Sequence, residues 1–170
     1  MLPSRHGPAG TRCWLLLALA LGAARTLAGN EAPLARAVEE LLSGTRAPAG
    51  VVFEIVTEDE DGLEWALPAV ERAIRRLRER FPGLPVAVVS HGEEMFALTR
   101  DDVDEETRAR LARLTRALEA PVHVCGTFAG WRGLAPEDFT EEVDVAAAGP
   151  AQVNDYRALG WTVVRVTDGD

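Results

Sequence analysis

The sequence predicts a three-layer α/β/α domain on a mainly parallel five-stranded sheet, and three observations carry that expectation. Short runs rich in β-branched residues alternate with longer segments whose apolar residues recur at helical spacing. Proline and glycine mark the junctions between them. Strand, helix, strand repeated along one chain implies right-handed crossovers, which leave the strands parallel and helices on both faces of the sheet.

The first thirty residues stand apart. Arg5, His6 and Arg12 precede an apolar run from Trp14 to Ala24, and Thr26-Leu27-Ala28 closes the segment before Gly29. A basic start, a short apolar middle and a small-residue cleavage site are the layout of a secretory signal peptide, expected over residues 1–28 with Gly29 as the mature N-terminus. The apolar run is short for a bilayer, which takes about 20 apolar residues in a helix. Cleavage leaves 142 residues, enough for one domain with a real core. It removes three arginines and no acid, so fifteen arginines face twenty-seven carboxylates and the formal charge becomes −12. So acidic a surface argues against nucleic acid and, once the leader is removed, against a membrane as partner. All eighteen basic residues are arginine, and the absence of lysine excludes Schiff-base chemistry.

Residues 29–49 are expected to form a helix and a linker. Asn30 can cap the helix, Leu34, Val38, Leu41 and Leu42 repeat at helical spacing, and Ser43-Gly44 ends it. The main domain, residues 50–170, opens with a strand at Val51 to Val56 and an acidic turn, Glu58 to Gly62. Leu63, Leu67, Val70, Ile74, Leu77 and Phe81 then line one helical face, with Pro68 marking either a start near Leu67 or a kink. Pro85 to Ser90 is a second buried strand. Acids at Asp102 to Glu106 followed by Arg108, Arg110, Arg113 and Arg116 give a helix whose charges complement its dipole. Val122 to Cys125 is the third strand, and the segment punctuated by Gly126, Gly130 and Gly133 is expected to be a loop. A helical turn at Ala135 to Phe139, a strand around Val143 to Ala146, a helix from Pro150 to about Leu159 and a strand from Trp161 to Val166 complete the chain.

Open parallel sheets bind ligands outside the carboxyl ends of their strands. Three strand ends should therefore converge: Thr57-Glu58, Ser90-His91-Gly92 and Cys125-Gly126-Thr127. After cleavage Cys125 is the sole thiol, left over from any disulfide framework. It is either a reactive thiol beside a glycine-rich segment or a small buried hydrophobe. Reactivity needs a thiolate, favoured by a nearby cation or aligned backbone N–H groups, and His91, His123 and Arg132 are the candidate cations. His123 lies between two valines inside a strand and reads first as structural. The binding candidates are His91, Gly92, Gly126, Thr127 and Arg132. Neither a Cys-x-x-Cys nor a His-x-x-x-His pair occurs, so no metal site is expected, and no cofactor. A Walker loop, a Gly-x-Ser-x-Gly elbow and a Gly-x-Gly-x-x-Gly turn are likewise missing, which leaves nucleotide-dependent and serine-hydrolase chemistry unsupported.

The order of these pieces resembles the DsrE/DsrF-like family of small sulfur-relay proteins, above all its single-domain members. The carriers are Val51 to Thr57 with its acidic turn and Trp65, Val88-Val89-Ser90-His91-Gly92, Val122 to Gly126 with Cys125, Arg132-Gly133-Leu134 with Glu137-Asp138, and Ala148-Gly149 through Leu159-Gly160-Trp161. The resemblance implies a three-layer fold that assembles into homo-trimers or homo-hexamers. It also implies that Cys125 carries sulfane sulfur as a persulfide, exchanged with donor or acceptor proteins or small sulfur compounds. The family's relay proteins are cytoplasmic, whereas the leader of this chain implies a periplasmic or otherwise exported protein. The other reading of the same cleft is a non-enzymatic, oligomeric module that binds a small ligand.

Overall fold

The computed structural model describes residues 33–168; the leader expected over residues 1–28 and the cap expected at Asn30 lie outside them. A helix over residues 33–43 (α1) leads into β1 (Val51–Val56), a 3-10 turn (Glu60–Gly62) and α2 (Leu63–Arg80). There follow β2 (Val86–Ser90), a 3-10 segment (Glu93–Leu98), α3 (Glu105–Ala112) with a π turn (Arg113–Ala117), β3 (Val122–Cys125) and α4 (Gly126–Trp131). A 3-10 turn (Pro136–Asp138), β4 (Asp144–Ala146), α5 (Gly149–Ala158) and β5 (Thr162–Thr167) close the fold.

The five strands lie in the order β4-β3-β2-β1-β5, and every neighbouring pair is parallel. Alternation along each strand divides the core in two. Val51, Phe53 and Ile55 of β1, Val86 and Val88 of β2, Val122 and Val124 of β3 and Val164 and Val166 of β5 enter the larger cluster with α1, α2 and α3. Val52, Ala87 and Val89 point the other way and meet Val153 of α5, with Tyr156, Trp161 and Val163 packed around them. The expected three layers are present. Phe53, Ile55, Leu67, Ile74 and Leu77 are fully buried, and each such side chain contributes about 1.5–3 kcal/mol over an exposed one.

α2 begins at Leu63 rather than near Leu67, so Pro68 sits inside it and the Glu64 carbonyl loses its helical donor. Leu63, Leu67, Val70, Ile74 and Leu77 are buried on its inner face. Its flank towards α3 is tied down by arginines. Glu71 takes Arg75 at 2.8 Å, Arg110 of α3 at 3.0 Å and Arg113 at 3.6 Å. Burial pushes the Glu71 carboxyl up, but the hydrogen bond from Arg75, the charge of Arg113 and the bond from Arg110 together hold it below its ordinary range. Asp104 caps α3, accepting from the Thr107 N–H at 2.8 Å.

Two segments differ from expectation. Residues 126–131, expected as a loop, are α4: Cys125 caps it, the Thr127 N–H reaches the Ala147 carbonyl at 3.0 Å, and Ala129 is buried in the larger core. These tertiary contacts outweigh the helix-breaking tendency of Gly126 and Gly130. Residues 93–98, on which the sequence reading is silent, form the 3-10 segment that buries Met95 and Leu98.

The topology also positions the site. After β3 the chain turns to the larger core through α4, whereas after β4 it turns to the other face through α5. Adjacent strands whose connections leave on opposite faces open a crevice at their carboxyl ends, and Cys125 ends β3 there.

Candidate functional site

The end of β1 is fastened to the end of β2 by one buried carboxylate. Glu94, wholly inaccessible to solvent, accepts from the Thr57 N–H at 2.8 Å and the Gly92 N–H at 3.0 Å, one on each oxygen. Ser90 Oγ donates to it at 2.7 Å, and Thr57 Oγ1 lies 3.2 Å away while donating to the Asp59 carbonyl at 2.8 Å. Gly92 is required by this packing, because a Cβ there would stand 2.3 Å from Glu94 Oε2 and 2.4 Å from the Thr57 carbonyl oxygen. Gly92 thus packs the β1 and β2 ends together and does not line the opening beside them.

That opening is a cleft of about 330 Å³, lined by His91, Cys125, Thr127, Phe128, Trp131, Ala148 and Pro150. Its walls are mostly apolar. Cys125 is 5% exposed and is the free cysteine of the described residues. Its Sγ accepts the Phe128 N–H at 3.4 Å, the geometry of a helix cap. Gly126 lets β3 turn beside β4, since a Cβ there would stand 2.9 Å from the Ala146 carbonyl oxygen. Thr127 fixes the next residue by donating its hydroxyl to the Ala147 carbonyl at 2.8 Å. Trp131, 78% exposed, forms an apolar lip edge-on to Phe128.

His91 is held from two sides. Its Nε2 lies 3.1 Å from Glu54 Oε1, and Arg165 Nε donates to the other Glu54 oxygen at 3.1 Å. Glu54 is buried within the apolar run of β1, and Arg165 comes from β5 on the far side of that strand. From above, Gly149 at the start of α5 presses on the imidazole; a Cβ there would meet His91 Cβ at 2.4 Å.

The other two candidate cations are engaged elsewhere. Arg132 ion-pairs with Glu93 and lies over the Phe96 ring at 4.9 Å and the Phe128 ring at 5.9 Å. It lines a neighbouring cleft with Arg100, Asp102 and Glu137, which Cys125 does not line. His123 bonds Tyr156 Oη at 2.9 Å under α5, and its burial pushes the imidazole below its ordinary range, partly countered by Asp144. Among the described residues no cluster of three or more His, Cys, Asp or Glu side chains is arranged to hold a metal ion. No helix of the described residues is long and apolar enough to cross a membrane.

The structure therefore brings His91, Cys125 and Thr127 to one cleft, whose lining does not include Gly92, Gly126 or Arg132. Sequence reading missed Glu54, Glu94 and Arg165. The signal for Glu54 was available, as an acid in the middle of Val51-Val52-Phe53-Glu54-Ile55-Val56 must find a partner.

Fold and cleft define a class: a three-layer α/β protein with a free thiol, Cys125, at the carboxyl edge of an all-parallel sheet. No protein-family model and no curated protein matches the chain. Solved structures do. MTH1491 from Methanobacterium thermoautotrophicum, described as a protein of unknown function, superposes with a TM-score of 0.55 at 24% identity, covering 68% of this chain and 96% of its own. The ychN protein from E. coli superposes with a TM-score of 0.52 at 19% identity, covering 68% of this chain and 98% of its own. At these identities the likeness establishes a shared fold.

Proposed function

We propose that the protein is an exported, DsrE/DsrF-like sulfur carrier that holds sulfane sulfur as a persulfide on Cys125. The observation that carries this reading is the position of Cys125 in a mostly apolar cleft at the carboxyl edge of the sheet, with its sulfur on a backbone N–H. An N–H aimed at Sγ accommodates negative charge on sulfur, and the attacking species in thiol exchange is the thiolate. Apolar walls limit the access of water and of competing thiols to a bound persulfide. The donor or acceptor is a small sulfur compound or a protein thiol that reaches past Trp131. A homo-trimer or homo-hexamer fits the exposed Trp131 and the exposed Leu159 at the end of α5, and light scattering at working concentration tests it.

The deciding experiment is intact-mass spectrometry after incubation with inorganic polysulfide. Wild type is expected to gain the mass of one or more sulfur atoms, removed again by a thiol reductant, and Cys125→Ser to gain none. Serine keeps the helix cap, so the variant should melt near the wild type. Wild type that stays unmodified while its unfolded form reacts refutes the reading. That outcome would favour a second one, an oligomeric small-ligand-binding module without turnover, which the 5% exposure of Cys125 supports.

A further inference from the structure

We infer that His91 is the proton-transfer residue of the Cys125 cleft, and that Glu54 and Arg165 are positioning residues that set its tautomer and orientation. For its natural substrate this role rests on the sulfur-carrier reading, but the acid–base pair itself can be tested without it.

Register places the two groups together. β2 and β3 pair Val88 with Val122, Val89 with His123 and Ser90 with Val124, so the next step sets His91 beside Cys125. The His91 N–H still bonds the Ile55 carbonyl at 3.2 Å, so the backbone has not yet left the sheet. Neighbouring strands run roughly 4.8 Å apart, and both side chains line one cleft. Parity turns residue 91 towards α5, where Gly149 meets it.

The tautomer follows from the partners. A carboxylate that already takes Arg165 on one oxygen can only accept on the other, so Nε2 carries the proton and donates to Glu54. The neutral ring then has Nδ1 as its remaining acceptor. The other charged groups nearby are committed: Glu93 to Arg132, Glu94 to Thr57, Ser90 and Gly92, and His123 to Tyr156. α5 brings Gly149 and Pro150 against this end of the sheet, neither of them charged.

With a hydropersulfide donor R–S–SH the step balances. Nδ1 takes the thiol proton of Cys125. The thiolate attacks the outer sulfur, the Sγ–S bond forms as the donor S–S bond breaks, and the electron pair leaves on RS⁻. The imidazolium returns its proton to give RSH, leaving Cys125 as R′–S–SH. No outside oxidant is needed, because one sulfane sulfur has changed carrier.

The test reads alkylation of native protein by iodoacetamide across pH 5 to 9 (a range of about four units around neutrality), in wild type, His91→Asn and Arg165→Gln. Wild type should react faster than His91→Asn, on the order of tenfold at neutral pH, with a profile displaced from that of the variant. Arg165 is 74% exposed, so its replacement spares the core, and Arg165→Gln should move the profile in the same direction by less. Superimposable profiles for wild type and His91→Asn overturn the inference. If His91→Asn does not fold by circular dichroism, an Arg165→Gln profile identical to wild type overturns it instead. Polysulfide loading separates the two proposals. His91-dependent alkylation without sulfur uptake in wild type keeps the acid–base pair and sinks the carrier, whereas uptake with alkylation indifferent to His91 does the reverse.

Discussion

Replacing Glu94 by alanine should be among the most damaging single changes at the site, although the residue touches no ligand space. The carboxylate satisfies two buried backbone donors, the N–H groups of Thr57 and Gly92, from opposite oxygens. Each buried donor left without a partner costs about 1–3 kcal/mol, so alanine should cost about 4 kcal/mol. The Ser90 and Thr57 hydroxyls can rotate to other acceptors and add little. Thermal unfolding followed by circular dichroism should fall by about 12 °C, taking roughly 3 °C per kcal/mol for a chain of this size. Glutamine makes the sharper comparison. Whichever oxygen becomes the amide nitrogen, it faces one of the two backbone N–H groups, neither of which can accept, so Glu94→Gln should lose about half as much. A water that enters the vacated space in the alanine variant and accepts from both donors would hold the loss near its lower bound. An alanine variant melting within about 2 °C of wild type would refute the account of this carboxylate as the fastener of two strand ends.

Gly149→Ala places a Cβ 2.4 Å from His91 Cβ, so α5 or the imidazole must shift; overpacking of this kind costs about 1–3 kcal/mol. The variant should melt several degrees lower, and an unchanged melting temperature would show that the contact is slack. Stability should also decline as pH falls below the unfolded histidine value of 6.5, because burial lowers the folded His123 value and the unfolded chain then binds more protons. In a series of melts from neutral to mildly acidic pH, His123→Gln should flatten that decline, and an unaltered slope would exclude His123 as its source.

The framework could be read from sequence because its signals are local. Leu63 to Phe81 repeats at helical spacing over several turns, and the β-branched runs at Val51 and Val86 are bounded by glycine and proline. Strand ends follow from strands, so His91 and Cys125 were legible as neighbours of a cleft. What was illegible depends on distance in sequence. α4 carries two glycines in six residues and is held by contacts with residues near 147. Glu54 finds Arg165 across 111 positions, and nothing near either residue names the other. Arg132 shows the converse: it was visible as a loop cation near the thiol, yet its direction is set by Glu93, Phe96 and Phe128, to which no local pattern points.

The place of β5 at the sheet edge beside β1 bears on the order in which the molecule comes together. Among the described residues β1 is the first strand and β5 the last, yet they are hydrogen-bonded along six residues, from Val51 with Thr162 to Val56 with Thr167. Until residues 162–167 have been synthesised, β1 has an unpaired side and Glu54 lacks its arginine. A growing chain can assemble β1 to β4 and their helices, but the bond from Arg165 to Glu54, the partner of His91, forms only when β5 docks. A nascent chain stalled before Thr162 would present β1 as an adhesive edge to its neighbours.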